Sequence, residues 1–391
     1  MTSRDRLLAA LNRQVPDRLP VTTHHLMPAY LAAAGFASEM AFFDRFGLDA
    51  IRWLTPLAPD RGRGAAEDPG LRTTTESWSF VSDEWRVERE DVPGTDFATT
   101  RYRCVTPSGT LSMVLQDDGR TVWVAERLVK QRGDIEVIAR HAPVPLCDPA
   151  PVCEAASAIG PRGIVRGAVP GFALYGQPGC WQDAAVLVGI EELILATFDD
   201  PEWVETFLAI LRDRKLAFLQ STAGAPFDLL ELGGGDASST VISPPIFDRF
   251  VAPFDVPLIA AARAAGQRIV YHTCGGMMPF LERLADMQPD ALETLTPPEM
   301  GGDMRLAEAK ARVGERVCLI GGFDQVHHLV GSQPDETRRA VRSCFEQAGS
   351  GGGFILAPSD HFFEAEDALL DAFADEARRC RYGRTRSVDS R

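Results

Sequence analysis

Positive charge is scarce in this chain. Against 55 aspartates and glutamates it sets 40 lysines and arginines, a formal charge of −15, so it has no cationic surplus for a nucleic-acid backbone or an anionic membrane. Nowhere does an apolar run reach the roughly 20 residues of a membrane-spanning helix. The opening Met1-Thr2-Ser3-Arg4-Asp5-Arg6-Leu7 turns to charge too early for a secretory h-region. Eight cysteines are scattered over 391 residues instead of crowding into a disulfide framework, which suits a reducing compartment. Internal repeats and heptad arrays are also missing. These absences predict a soluble, cytoplasmic protein whose partner is a small molecule or another protein.

What is present is an alternation of short apolar segments with longer amphipathic patterns, the signature of βα units around a parallel sheet. Eight segments read as strands: Leu19–Thr23, Ala50–Leu54, Gly163–Val169, Leu229–Gly233, Arg268–His272, Ala291–Leu295, Val317–Gly321 and Gly353–Ala357. Helical patterns over Pro201–Ala223, Pro245–Ala265 and Met278–Met287 precede the fourth, fifth and sixth. Eight such units predict an α/β fold, a closed (β/α)8 TIM-type barrel forming one domain over residues 1–391. Residues 77–130 break the pattern by alternating aromatic and β-branched residues with polar ones, with turn signals at Pro93-Gly94, Pro107-Ser108-Gly109 and Asp117-Asp118-Gly119. They predict an inserted antiparallel β meander, serving as a lid or as a homodimer contact. The Arg-, Gly-, Ala- and Pro-containing stretch Arg61–Gly70 predicts a flexible loop.

Reactive groups in such a barrel gather where strands end and loops begin. After the fifth strand comes His272-Thr273-Cys274-Gly275. In an extended segment alternate side chains point the same way, so His272 and Cys274 can face one ion, and imidazole with thiolate suits zinc. The plainer reading is a satisfied barrel-mouth histidine beside a buried apolar thiol. For a metal, the third ligand comes from a neighbouring strand end: Asp360 or His361, with Glu231 or Glu293 behind them. Asp360 is preferred, since a carboxylate makes a harder, more Lewis-acidic site than a second thiolate.

Glu231 and Asp236 flank the triple glycine Gly233-Gly234-Gly235 and read as a base or a substrate-orienting carboxylate, with a helix N-cap as the plain role for Asp236. Gly234 or Gly235 would let the backbone approach a ligand. His24 and His25 follow the first strand, where imidazoles bind metal or shuttle protons; with Glu293 they are assigned to substrate binding. Tyr175 ends an apolar loop that would hold its hydroxyl over the mouth.

Several segments carry a resemblance. They are Ser3-Arg4-Asp5-Arg6-Leu7-Leu8-Ala9-Ala10-Leu11 with Pro16-Asp17-Arg18-Leu19-Pro20-Val21, then Ile242-Ser243-Pro244-Pro245-Ile246-Phe247 with Pro253, Tyr271-His272-Thr273-Cys274-Gly275-Gly276, Gly321-Gly322-Phe323-Asp324 and Ile355-Leu356-Ala357-Pro358. Through them the chain resembles the uroporphyrinogen decarboxylase superfamily, nearly end to end, and within it the zinc-dependent, cobalamin-linked methyltransferase branch. The resemblance implies a (β/α)8 barrel, zinc on His272 and Cys274, and a corrinoid (cobalamin) as methyl carrier on a separate protein. Two departures stand out. The decarboxylases hold propionates with arginines of an N-terminal loop, whereas here Thr22-Thr23-His24-His25-Leu26-Met27-Pro28 has none. The methyltransferases carry a second cysteine in a Leu-Ala-Pro-Gly-Cys segment, which here reads Leu356-Ala357-Pro358-Ser359-Asp360. Losing that thiolate lowers the softness of the site and favours oxygen ligation, as of a methyl ether. The expected activity is methyl transfer between a small methylated substrate and the corrinoid. The alternatives are a decarboxylase of a porphyrinogen-like or other carboxylic acid, using His24, Tyr175 and Asp236, and a non-catalytic binder.

Overall fold

The structure, a computed structural model, describes residues 1–54, 57–58, 65–67, 78–80, 82–172 and 177–383. Seven parallel strands run in order round the barrel: Ala50–Trp53, Gly163–Ala168, Leu229–Gly233, Ile269–His272, Ala291–Thr294, Cys318–Phe323 and Phe354–Pro358. Nearly every strand residue is buried, which is why the sequence shows apolar runs here and no in–out alternation.

The expected first strand, Leu19–Thr23, contracts to a single parallel bridge between Val21 and Leu356. Pro20 has no N–H to contribute, and the Val21 N–H is taken by the Asp49 carboxylate at 3.0 Å. The segment still completes the ring. Leu356 N–H donates to Pro20 O, Thr22 N–H donates to Leu356 O, and Asp49 N–H donates to Val21 O. Asp49 is held in turn by Arg6 at 2.6 Å and Arg18 at 3.1 Å. The charged motifs at the chain's start thus seal the barrel.

The helix preceding strand Leu229–Gly233, Pro201–Ser221, starts on an Asp200 cap that accepts the Trp203 N–H at 3.3 Å, with proline in its first turn. The expected helix over 245–265 divides into Pro244–Ile246, a π-helical turn Phe247–Val251 and Ala252–Ala264. Pro253 lacks the N–H that would bond Arg249, and its ring would press on that carbonyl; the wider turn, with Ala252 N–H reaching Phe247 O, relieves both.

Between the barrel strands Ala50–Trp53 and Gly163–Ala168 lies the antiparallel meander, Arg86–Asp91, Ala98–Thr106, Gly109–Asp117 and Val122–Glu126. Its turns fall at the three signalled positions. Asp118 Oδ1 closes the last by accepting the Arg120 and Thr121 N–H groups, both at 2.8 Å. Tyr102, Cys104, Met113 and Leu115 from this sheet are buried in the main core. Of the expected loop Arg61–Gly70, Ala65–Glu67 is a short strand paired with Trp78–Phe80, and the rest lies outside the described residues. Among the described residues no helix is long and apolar enough to cross a membrane.

Candidate active site at the barrel mouth

Two groups of ligand-type side chains meet at the carboxyl ends of the strands, and His272 belongs to both. In the outer group the donor atoms of His272, Cys274 and Asp360 lie within 4.8 Å of one another; in the inner group the same holds for His24, Glu231, His272 and Glu293. Register explains the meeting. His272 is the pairing partner of Gly233 on one side and of Glu293 on the other. Glu293 Oε1 consequently stands 3.2 Å from His272 Nδ1.

Cys274 has room for its thiol because Gly235 lacks a side chain: a Cβ there would sit 2.5 Å from Sγ. Gly233, at φ +103°, meets the His272 carbonyl in the same way. A Cβ at Gly234 would meet the Gln182 side chain at 2.5 Å, so Gly234 and Gly235, the glycines expected to admit a ligand, lie against the chain's own neighbouring atoms. Asp360 follows strand Phe354–Pro358 and takes two contacts from His361, the backbone N–H at 2.7 Å and ring Nδ1 at 2.9 Å. His361 thus supports the carboxylate. An imidazole, a thiol and a supported carboxylate, gathered where a Cβ is missing, form a donor set that fits zinc.

At the centre of the inner group is a residue that sequence reasoning passed over. Arg166, fully buried on strand Gly163–Ala168, sets Nη1 2.8 Å from Glu293 Oε2 and Nη2 2.7 Å from Glu231 Oε2, and Nη2 also contacts Glu293 Oε1. Its guanidinium carbon lies 4.3 Å from the ring centre of Trp53, its register partner on strand Ala50–Trp53. The signal was an arginine inside the apolar run Gly163-Ile164-Val165-Arg166-Gly167-Ala168-Val169.

The electrostatics follow from this arrangement. Burial opposes ionisation of both glutamates, but Arg166, gripping Glu293 at both oxygens with His24 and His272 nearby, holds Glu293 well below the usual carboxylate range. Burial prevails at Glu231 and raises it, against the pull of His272 and Arg166. Burial pushes His24 down to about 3, leaving it neutral. At His272 burial is outweighed by Glu231 and by the bonds to Cys274 and Glu293, so its affinity for a proton is well above normal. Asp360 is likewise desolvated, yet His361 brings it well below the usual range. The mouth attracts a cation at His272.

The remaining expected residues are placed as follows. His24 joins the inner group, with Nδ1 3.8 Å from Glu293 Oε2 and its ring centre 5.1 Å from that of His272. His25 is buried and packs edge-on to Trp53 at 5.2 Å. Asp236 belongs to neither group. Its Oδ2 accepts from Gln182 Nε2 at 2.8 Å, its N–H donates to Gln182 Oε1 at 2.5 Å, and its carbonyl accepts from the Trp181 ring N–H. Tyr175 lies outside the described residues.

Comparison with known proteins agrees with this architecture. The family model for uroporphyrinogen decarboxylase (URO-D) matches residues 114–364. A uroporphyrinogen decarboxylase of Psychromonas ingrahamii is 27% identical over 206 residues, which are 49% of this chain and 53% of that protein, so the match spans about half of the curated relative. Among solved structures, a methyltransferase from Methanosarcina mazei superposes with a TM-score of 0.61 at 16% identity, covering 97% of this chain and 99% of that one. At that identity the likeness speaks for the fold.

Proposed function

The chain belongs to the uroporphyrinogen decarboxylase family, and from that premise we propose that it is a zinc-dependent methyltransferase, moving a methyl group between a small methylated substrate, such as a methyl ether, and a corrinoid carried by a separate protein. One observation carries the reading: an imidazole, a thiol and a carboxylate stand within 4.8 Å of one another at the barrel mouth. His272, Cys274 and Asp360 would hold the zinc. The ion supplies Lewis acidity that polarises the heteroatom bearing the methyl group.

The rest is work for the chain's own side chains. Glu293 fixes the plane of the His272 ring through Nδ1. Glu231, bonded to Arg166 through Oε2, orients the polar group of the substrate. Asp236, locked by Gln182, orients the loop that carries Gly235 under Cys274.

The decarboxylase reading draws support from the name of the Psychromonas relative. Metal dependence separates the two. Purified protein is expected to hold about one zinc per chain, to lose it in Cys274→Ser, and, only when loaded, to demethylate methylcobalamin onto an added alcohol or phenol acceptor, followed by its visible spectrum. A chain that decarboxylates at full rate after zinc has been stripped would reverse the preference.

A further inference from the structure

The inner group has the composition of a second metal site, with two carboxylates and two imidazoles inside 4.8 Å. A cation already lies between its acids, however, and it is covalently part of the chain. We propose that Arg166 is a positioning residue: its guanidinium takes the place a second ion would hold between Glu231 and Glu293, and by fixing Glu293 it presents His272 to the ion held with Cys274 and Asp360. This inference rests on the metal reading given above.

The geometry supports each step. Two buried carboxylates this close repel in a medium that screens poorly, so each needs a positive partner. Arg166 serves both from a fully buried position, with two nitrogens on Glu293 and one on Glu231. A planar fork can bridge two acids in this manner, whereas an ammonium offers a single point of charge. The Trp53 ring, brought alongside by strand register, bears on the guanidinium and limits its movement.

The grip on Glu293 passes to His272, because Oε1, held by Arg166, is the oxygen that faces His272 Nδ1 at 3.2 Å. An ionised carboxylate only accepts hydrogen bonds, so Nδ1 carries the hydrogen and the lone pair left for an ion is on Nε2. Without Arg166, Glu293 is repelled by Glu231 and turns, and the ring loses its fixed plane. Arg166 therefore acts on the ion through two intervening contacts without touching it.

The test uses the full-length chain, with zinc affinity measured by chelator competition and the thiolate-to-cobalt absorption band recorded after cobalt(II) substitution. Arg166→Met is expected to weaken zinc binding roughly 10–100-fold and to shift or broaden the cobalt band, while Arg166→Lys recovers part of both. Lys215→Met, which breaks a buried ion pair on another network, is expected to lower stability and leave affinity and band as they are in the folded chain. Equal zinc affinity and an identical band in Arg166→Met would overturn the inference. If Arg166→Met does not fold, Glu293→Gln replaces it: the amide keeps the shape but loses the charge, the same weakening is expected, and natural affinity there also overturns the proposal. Failure of the natural chain to bind zinc or cobalt sinks the metal reading and this inference together, whereas equal affinities sink this inference alone.

Discussion

Two buried cations in this barrel are built on opposite plans. Lys215 spends its three N–H groups on Asp183 Oδ2 at 2.9 Å, Pro170 O at 3.0 Å and Gln177 O at 2.8 Å, while Asp183 Oδ1 accepts the Phe172 and Gln177 N–H groups. Charge is matched one to one, every donor is used, and the set fastens both sides of the loop after strand Gly163–Ala168. Arg166 instead faces two carboxylates and leaves a surplus of negative charge beside His272. A network that closes on itself holds the fold. One that leaves a deficit waits for something else to complete it, here a proton on His272 or a metal ion.

The largest expected effect tests the closed network. Lys215→Met strands the buried Asp183 charge and is expected to cost about 3–5 kcal/mol of folding free energy, read by equilibrium denaturation. Metal content of the folded fraction stays at its natural value; a parallel loss of metal would erase the distinction between the networks. The open network behaves in reverse. Cys274→Ser is expected to lower methyl-transfer activity at least about 100-fold with the bound zinc, yet to move stability of the metal-free chain by no more than about 1 kcal/mol.

Gly235→Ala lies between these. Its new Cβ would meet Cys274 Sγ at 2.5 Å, so either the thiol or the loop gives way, at a cost of roughly 1–3 kcal/mol. Zinc affinity is expected to fall with it; isothermal titration showing natural affinity would mean that the thiol is free to move aside without consequence.

The smallest effect concerns the ion pairs that seal the barrel's other end. Burial pushes Asp17 up, but its bonds to Arg6 and the N-terminus prevail and bring it from an ordinary 3.8 to about 2. The stability it contributes is present above pH 3.8 and lost as pH falls towards about 2. Partial exposure keeps this below about 1 kcal/mol. Asp17→Asn should lower the melting temperature slightly between pH 7 and 4 and leave it unchanged near pH 2, so that the acid limb flattens; an equal change at every pH from 7 to 2 would mean that the pair acts by other means.

Much of the fold was legible because each strand is buried on both faces and bounded by turn residues. The strands Leu229–Gly233 and Ala291–Thr294 match the apolar runs to within a residue, and the meander's turns follow from local Asp, Gly and Pro chemistry. Local signals failed where non-local partners intervened: Val21 lost its strand to the Asp49 carboxylate, and the helix near Pro253 gave way to a wider turn. In the site, the pairing of His272 with Cys274 was legible since they are two residues apart on one strand end. Asp360 was legible as a carboxylate at a neighbouring strand end, beside His361, Glu231 and Glu293 as alternatives. Arg166 was written in the open, as a charge in an apolar run, but without partners such a residue has no readable role.

By itself the sequence determined seven of the eight expected strands, the inserted meander and the imidazole–thiol pair, because each depends on periodicity or on neighbours a few positions away. Tertiary structure alone decided which acid joins that pair and which cation neutralises the others. Cys274 and Asp360 come from different strand ends, and Arg166 and Glu293 are 127 residues apart. Closure of the barrel brings both pairs together, and the register of parallel strands, which no local pattern encodes, sets their spacing.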